Sequence, residues 1–112
     1  MHELSFATAL VSQIEKAAQQ QGVTRVIGIN VRVGALSGIV EDSLRFVFPL
    51  AAEGTLLEGA ALHLELVSLR VRCKACLVES EVEYPGMCPR CQALGVEIIQ
   101  GRDVTIESME VI

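Results

Sequence analysis

The sequence predicts an α+β protein in which two helices pack on a small mixed β-sheet, with an inserted four-cysteine zinc-ribbon-like domain. Apolar residues recur at helical spacing in the first 20 positions and then alternate with a period of two. The four cysteines fall late in the chain as two CxxC pairs. At 112 residues, the chain has room for one domain with a small satellite. We place the body at 1–72 and 100–112, and the satellite at 73–99.

Two segments show helical periodicity. The first is predicted from about Glu3 to just before Gly22, because its apolar residues share one face and Gly22 suits the position after a helix. A second helix is predicted near Glu41, whose charge complements the first helical turn. Pro49 removes the hydrogen bond to the carbonyl of Arg45, so we expect this helix to kink or break there.

Alternating apolar residues indicate the strands. The predicted strands are residues 27–33, about 61–72, 78–84 and 104–111. In the second of these the apolar face changes between Leu66 and Val67, and in the last it changes between Ile106 and Met109. A slip of one residue indicates a bulge, or a strand that passes from one core to another.

The four cysteines, Cys73, Cys76, Cys88 and Cys91, indicate a metal site. A CxxC turn places two thiolates on one side of a tight loop, and two such turns complete the tetrahedral shell that structural zinc prefers. A closed shell leaves no position for substrate, so we interpret the zinc as structural, supplying folding free energy to a segment with few apolar residues. Iron in the same shell and a redox dithiol are the alternatives, although a dithiol needs only one CxxC.

Composition excludes several classes of function. The formal charge is −5, and the chain has only three phenylalanines, one tyrosine and no tryptophan on which bases could stack, which argues against nucleic-acid binding. No apolar run approaches the roughly 20 residues of a membrane span. No export signal is evident, so a cytoplasmic location is expected, where paired cysteines indicate a metal rather than a disulfide. His63 is interpreted as a surface residue, and without a Ser-His-acid pattern or a phosphate loop an enzyme is not expected.

The first residues, Met1-His2-Glu3, carry a second metal-binding possibility. The terminal amine, the deprotonated amide of His2 and its ring nitrogen can close adjacent chelate rings, and nitrogen donors in a plane suit Ni(II) or Cu(II). From position alone, a histidine on a frayed terminus is the simpler interpretation. Glu3 is equally explained as an acid in the first turn of a helix.

Taken together, these segments resemble the HypA/HybF family of nickel metallochaperones, which mature [NiFe]-hydrogenases. The segments that carry the resemblance are 1–5, 33–38, 43–46, 54–60, the two CxxC pairs and 106–111. They cover nearly the whole chain, and their order and spacing make the joint match specific.

The resemblance implies a small nickel-binding α/β domain that carries a zinc domain. It implies Ni(II) as a transient cargo held at the N-terminus, with His2 as the principal ligand, Glu3 in the same start motif and Glu41 as an acid near the metal. The four cysteines match the family's zinc ligands. The implied partners are a HypB-type GTPase and the hydrogenase large-subunit precursor, and in some members urease maturation proteins.

We therefore expect a metallochaperone rather than an enzyme. The alternative is a zinc-ribbon adaptor protein without a nickel function, which explains the cysteines but leaves Met1-His2-Glu3 unused. The alternation of apolar residues slips where the chain passes between the body and the satellite. We therefore expect changes at the zinc thiolates to affect the nickel domain.

Overall fold

The structure is a computed structural model and describes residues 3–112. Two helices and six strands lie within this range. They are α1 (Glu3–Gln20), β1 (Val26–Gly34), α2 (Glu41–Ala52), β2 (Ala61–Val67), β3 (Arg70–Cys73), β4 (Glu79–Glu81), β5 (Val96–Gln100) and β6 (Val104–Val111). The two predicted helices are confirmed, and the strand predicted over 61–72 is divided into β2 and β3.

The first sheet has the strand order β2-β1-β6. Two contacts show the relative direction of β1 and β6. Gly28 lies next to the side chain of Glu110, and further along β1 the amide of Gly34 donates to the carbonyl of Asp103 at 2.9 Å. Partners whose residue numbers fall as those of β1 rise define an antiparallel pair.

The pairing of β1 with β2 runs the other way. Gly28 lies near the carbonyl of Ala61, and seven residues later the amide of Ala35 donates to the carbonyl of Val67 at 2.9 Å. Both strands therefore run in the same direction, which requires a crossover connection, and α2 lies in that connection. One parallel and one antiparallel pair confirm the predicted mixed sheet.

The second sheet has the order β4-β3-β5, and both pairs are antiparallel. Val71 at the centre of β3 faces Ser80 of β4 and Ile98 of β5. The register with β5 shifts between Arg70 and Val71. This small sheet leads directly into the first cysteine pair, because Cys73 is the last residue of β3.

The helices pack through aliphatic faces. The buried apolar residues of α1 and α2 are Ala7, Leu10, Val11, Ile14, Ala18, Leu44, Val47, Phe48 and Ala52. Leu62 and Leu64 of β2 pack against a cluster of Ala7, Leu44 and Val47. The core therefore lies between the two helices and one face of the first sheet. It is mainly aliphatic, as expected for a chain with few aromatic residues.

Contacts divide the chain into two compact units, each described by itself. The helical unit contains the residues up to Val31, 39–65 and 106–112, and the cysteine unit contains 32–38 and 66–105. The finer division into 1–72 with 100–112 and 73–99 stays a prediction.

Both predicted slips in alternation fall where the chain changes units. In β2, Leu64 is half-buried, Leu66 is 66% exposed and Val67 is half-buried again, so the face changes at the Glu65/Leu66 boundary. In β6 two exposed residues separate the half-buried Ile106 and Met109, just after the boundary at 105/106. This is the behaviour of strands that leave one core for another.

The break expected at Pro49 is wrong. Helix α2 runs without interruption from Glu41 to Ala52, with Pro49 inside it. Pro49 lies on the exposed side near the C-terminal end of the helix. The Arg45 carbonyl, which loses its intrahelical partner, belongs to a residue whose side chain is 45% exposed, so water can take the place of the missing amide.

Replacing Gly34 with alanine is expected to destabilise the fold by about 3 kcal/mol or more. A Cβ at this position would lie 2.5 Å from the carbonyl carbon and oxygen of Gly101 and 2.7 Å from the carbonyl oxygen of Asp103. These are backbone atoms that cannot rotate away. Urea unfolding measures the effect. Gly86→Ala is the control, because a Cβ there meets nothing within 4 Å, and equal midpoints for the two variants would contradict the prediction.

Candidate metal centre

The fold brings all four cysteines to one point. Their sulfur atoms lie within 4.8 Å of one another, and within residues 3–112 they form the only group of three or more potential metal ligands. Cys73 and Cys91 have their Sγ atoms 3.5 Å apart, and those of Cys76 and Cys88 are 3.7 Å apart. Sulfurs about 2.3 Å from a tetrahedral zinc ion are separated by about 3.8 Å. The cluster therefore has the size that a tetrahedral ion needs.

The first cysteine turn, residues 73–78, is organised by backbone amides. The amide of Leu77 donates to the carbonyl of Cys73 at 2.9 Å and closes the turn. The amides of Ala75 and Cys76 both donate to Cys73 Sγ, each at 3.3 Å. The CxxC spacing thus aims two N–H groups at its own first sulfur.

The second cysteine turn, residues 88–93, repeats this pattern. The amide of Gln92 donates to the carbonyl of Cys88 at 2.9 Å, and the amides of Arg90 and Cys91 donate to Cys88 Sγ at 3.4 and 3.5 Å. Two turns of different sequence have the same hydrogen bonds, so the geometry follows from the CxxC spacing.

Leu77 and Gln92 complete the turns and were not found from the sequence. Each follows the second cysteine of its pair and has a positive φ, 64° for Leu77 and 65° for Gln92. This region is costly for residues other than glycine. The position directly after CxxC is the only signal that could have indicated them.

Leu77→Gly is expected to stabilise the metal-loaded protein by about 0.5–1 kcal/mol. Glycine removes the left-handed strain, and little packing is lost because Leu77 is 70% exposed. Urea unfolding compares this variant with Leu77→Ala, which keeps the strain while also removing the side chain. A glycine variant no more stable than the alanine variant would contradict the prediction.

The same amides set the thiol acidities. The backbone amide of Cys76, helped by that of Ala75, lowers the pKa of Cys73 to about 6 despite burial of the thiol. The amides of Cys91 and Arg90 likewise lower the pKa of Cys88. For Cys91 the Ala93 amide lowers the pKa, but interactions with Cys73 and the other thiols, together with burial, raise it to about 11. The first cysteine of each turn is thus the one in which the thiolate, the metal-binding form, is favoured.

The candidate nickel ligands lie apart from this cluster in the sequence. His2 lies outside the described residues. Glu3 is 9% exposed, and its Oε2 accepts a hydrogen bond from the amide of Val40 at 3.1 Å. Val40 immediately precedes Glu41, the first residue of α2. The structure therefore holds the start of α1 against the start of α2.

Glu41 is engaged by its own helix. Its Oε2 accepts hydrogen bonds from Arg45 Nε at 3.1 Å and from an Arg45 terminal nitrogen at 2.9 Å. Arg45 also donates to the carbonyl of Leu62 at 3.3 Å. A metal at Glu41 has to compete with this guanidinium, and the roles of Glu3 and Glu41 toward nickel stay predictions.

A family model described as "Hydrogenase/urease nickel incorporation, metallochaperone, hypA" matches residues 1–111. The chain belongs to the HypA family. Among curated HypA proteins, the hydrogenase maturation factor HypA of Streptomyces avermitilis is 46% identical over 112 residues, covering 97% of this chain and 86% of the relative. The HypA of Chloroflexus aurantiacus is 42% identical, with 98% of each chain covered. The resemblance noted in the sequence is confirmed.

Solved HypA structures show the same fold. The solution structure of the Ni metallochaperone HypA from Helicobacter pylori matches with a TM-score of 0.74 over 100% of this chain and 98% of that one, at 23% identity. Another solution structure, titled HypA protein, matches with a TM-score of 0.76, also at 23% identity. At this identity the likeness concerns the fold, and it confirms the predicted α+β class.

HypA membership confirms the function predicted for the chain at the level of the family, a metallochaperone for nickel incorporation. The zinc-ribbon adaptor is favoured by no observation. In the described part of the chain, no helix combines the length and apolar character needed to cross a membrane.

Proposed function

We propose that this protein binds Ni(II) transiently at its N-terminus and delivers it for [NiFe]-hydrogenase maturation, with zinc in a structural or regulatory site. The observation that carries the proposal is the match of the nickel-metallochaperone family over residues 1–111. The four-cysteine cluster supports separate sites for zinc and nickel, because a tetrahedral shell closed by four sulfurs leaves no open position through which a transient ion could be bound and released.

The zinc ligands proposed are Cys73, Cys76, Cys88 and Cys91. Their spacing fits a tetrahedral ion, and four sulfur donors favour zinc over harder divalent ions. An ion bound there crosslinks the two cysteine turns and supplies folding free energy to the segment between β3 and β5. The amide hydrogen bonds to Cys73 and Cys88 orient these two sulfurs toward the common centre.

The nickel ligands proposed are His2, with the nitrogens of the first residues, and then Glu3 and Glu41. The contact between Glu3 and Val40 supports this grouping, since it holds the first residue of α1 against the residue that precedes Glu41. The ion pair with Arg45 makes Glu41 the weakest candidate. Exchangeable affinity suits a delivery protein, and terminal amine and imidazole donors offer it.

The remaining proposals come from the family. We propose a HypB-type GTPase and the hydrogenase large-subunit precursor as partners, urease maturation proteins as further ones, and a cytoplasmic location. We also propose that the protein catalyses no reaction of its own, and that it binds no nucleic acid and no membrane.

Equilibrium dialysis of the untagged protein against Ni(II) tests the proposal, with zinc and nickel both quantified. The expected result is about one retained zinc per chain and nickel that binds in addition to it and dialyses away. The control is the same protein carrying an N-terminal tag, which should keep its zinc and lose nickel binding. Nickel that binds only by displacing zinc would refute the terminal site, and no nickel binding at all would favour the adaptor.

A further inference from the structure

The four sulfurs of the cluster differ in accessibility. Cys73 and Cys88 are buried, Cys76 is half-buried and Cys91 is exposed. The two buried residues are the first cysteines of their turns, and the two more accessible residues are the second cysteines. Solvent and reagents therefore reach the cluster from the side of Cys91.

Backbone hydrogen bonding also distinguishes the two buried sulfurs. Two backbone amides of its own turn donate to Cys73 Sγ, and two donate to Cys88 Sγ. Both burial and N–H donors hold these inner sulfurs in place. Loss of either sulfur would leave two part-buried amides without an acceptor, which costs more than loss of an exposed sulfur.

The two turns also differ in how they are tied to the fold. The first turn continues β3, the central strand of its sheet, and the amide of Lys74 donates to the carbonyl of Gly95 at 2.8 Å. The backbone hydrogen bonds of the second turn, from Cys88 to Ala93 and from Gln92 to Cys88, close the turn on itself. A segment tied mainly to itself opens at lower free energy than one that extends a strand.

We propose that Cys91 is the first sulfur to detach when the cluster opens, and is therefore the site at which soft electrophiles modify the protein. This inference rests on the proposed zinc site and assigns an order to its four ligands. With a maleimide, the Cys91 sulfur forms a bond to one alkene carbon and the neighbouring carbon takes a proton from water. Cys73, Cys76 and Cys88 would still hold a bound zinc ion, and the position that Cys91 leaves would be open to water.

The test uses zinc-loaded wild-type protein, with its zinc content verified, and less than one equivalent of N-ethylmaleimide. Peptide mapping by mass spectrometry is expected to find Cys91 labelled several-fold faster than Cys76, and Cys73 and Cys88 labelled last. Leu94→Ser is the matched variant, because Leu94 is exposed and is no ligand, and it should keep the fast labelling at Cys91. Equal labelling of the four sulfurs, or faster labelling of Cys76, overturns the inference.

Hydrogen exchange on the unmodified zinc-loaded protein gives a second measurement that needs no variant. The amides of Arg90 and Cys91 are expected to exchange faster than those of Ala75 and Cys76, because the second turn opens first. The reverse order overturns the inference while leaving the zinc site intact. A protein that retains no zinc refutes both the zinc site and this inference, and metal analysis distinguishes that failure from the others.

Discussion

Replacing Cys73 with serine is expected to abolish tight zinc binding and to unfold the cysteine unit while α1 and α2 stay folded. Cys73 is buried and connects β3 to the metal centre, and its sulfur accepts two amide hydrogen bonds. Loss of a hydrogen-bond partner of a metal ligand lowers metal affinity by up to about 100-fold. Loss of a ligand itself should lower the zinc affinity by more than that. Competition with a chromophoric chelator measures the affinity, and amide exchange reports which unit unfolds.

The reason for a local collapse is the small core of the cysteine unit. Of the buried apolar residues between 3 and 112, those in this unit are Val33, Leu69, Val71, Cys73 and Cys88. Two of these five are cysteines of the cluster itself. Without the ion, little apolar burial remains to offset the conformational entropy of ordering the 47 residues of this unit, which costs on the order of 1–2 kcal/mol per residue.

Leu94→Ser is the matched control for this prediction. Leu94 lies in the same segment but is 76% exposed, so its replacement should change neither the zinc affinity nor the amide exchange of the unit. A Cys73→Ser protein that binds zinc as tightly as the Leu94→Ser protein would show that the cluster is not the zinc site.

The elements that the sequence predicted well are those with a one-sided core. Helix α1 buries one face, and β1 buries the alternating residues Ile29, Val31 and Val33, so apolar spacing reveals the type of both elements. The slips in β2 and β6 were visible for the same reason, since each strand changes the core that it faces. The cysteine cluster was also predictable, because its spacing is a local property of the chain.

The features that the sequence did not reveal depend on contacts between residues far apart in the chain, or on which side of an element is exposed to solvent. Strand β5 was not predicted, because it is defined by pairing with β3 rather than by its own pattern. Helix α2 continues through Pro49, which lies on its exposed side, and the contact of Glu3 with Val40 spans 37 residues. Sequence periodicity carries no information about such partners.

His2→Ala is expected to remove nickel binding at the proposed terminal site, weakening it by about 100-fold or more, while zinc content stays unchanged. The imidazole is the strongest donor proposed there, and amine and amide nitrogens alone hold Ni(II) less well. Nickel affinity of the wild type should fall as the pH is lowered, because protons compete for the amine and imidazole nitrogens. Calorimetry on untagged proteins measures both effects. An unchanged affinity in the variant would place the nickel elsewhere.

Glu3 allows the ligand role to be separated from an anchoring role. Val40 is the N-cap residue of α2, no side-chain cap is present there, and the amide of Val40 instead donates to Glu3 Oε2. Glu3→Gln keeps a carbonyl oxygen for this bond and should leave the unfolding free energy within about 0.5 kcal/mol of wild type. Glu3→Ala leaves the amide without its acceptor and should cost about 1–3 kcal/mol.

The nickel affinities of the same two variants decide the role. If the charge of Glu3 contributes to the site, Glu3→Gln weakens nickel binding several-fold at unchanged stability, and this is the result we expect. A glutamine variant with wild-type affinity would contradict it and leave Glu3 an anchor that holds the start of α1 against α2. In that case only Glu3→Ala would weaken nickel binding, because it releases the start of α1 from the start of α2.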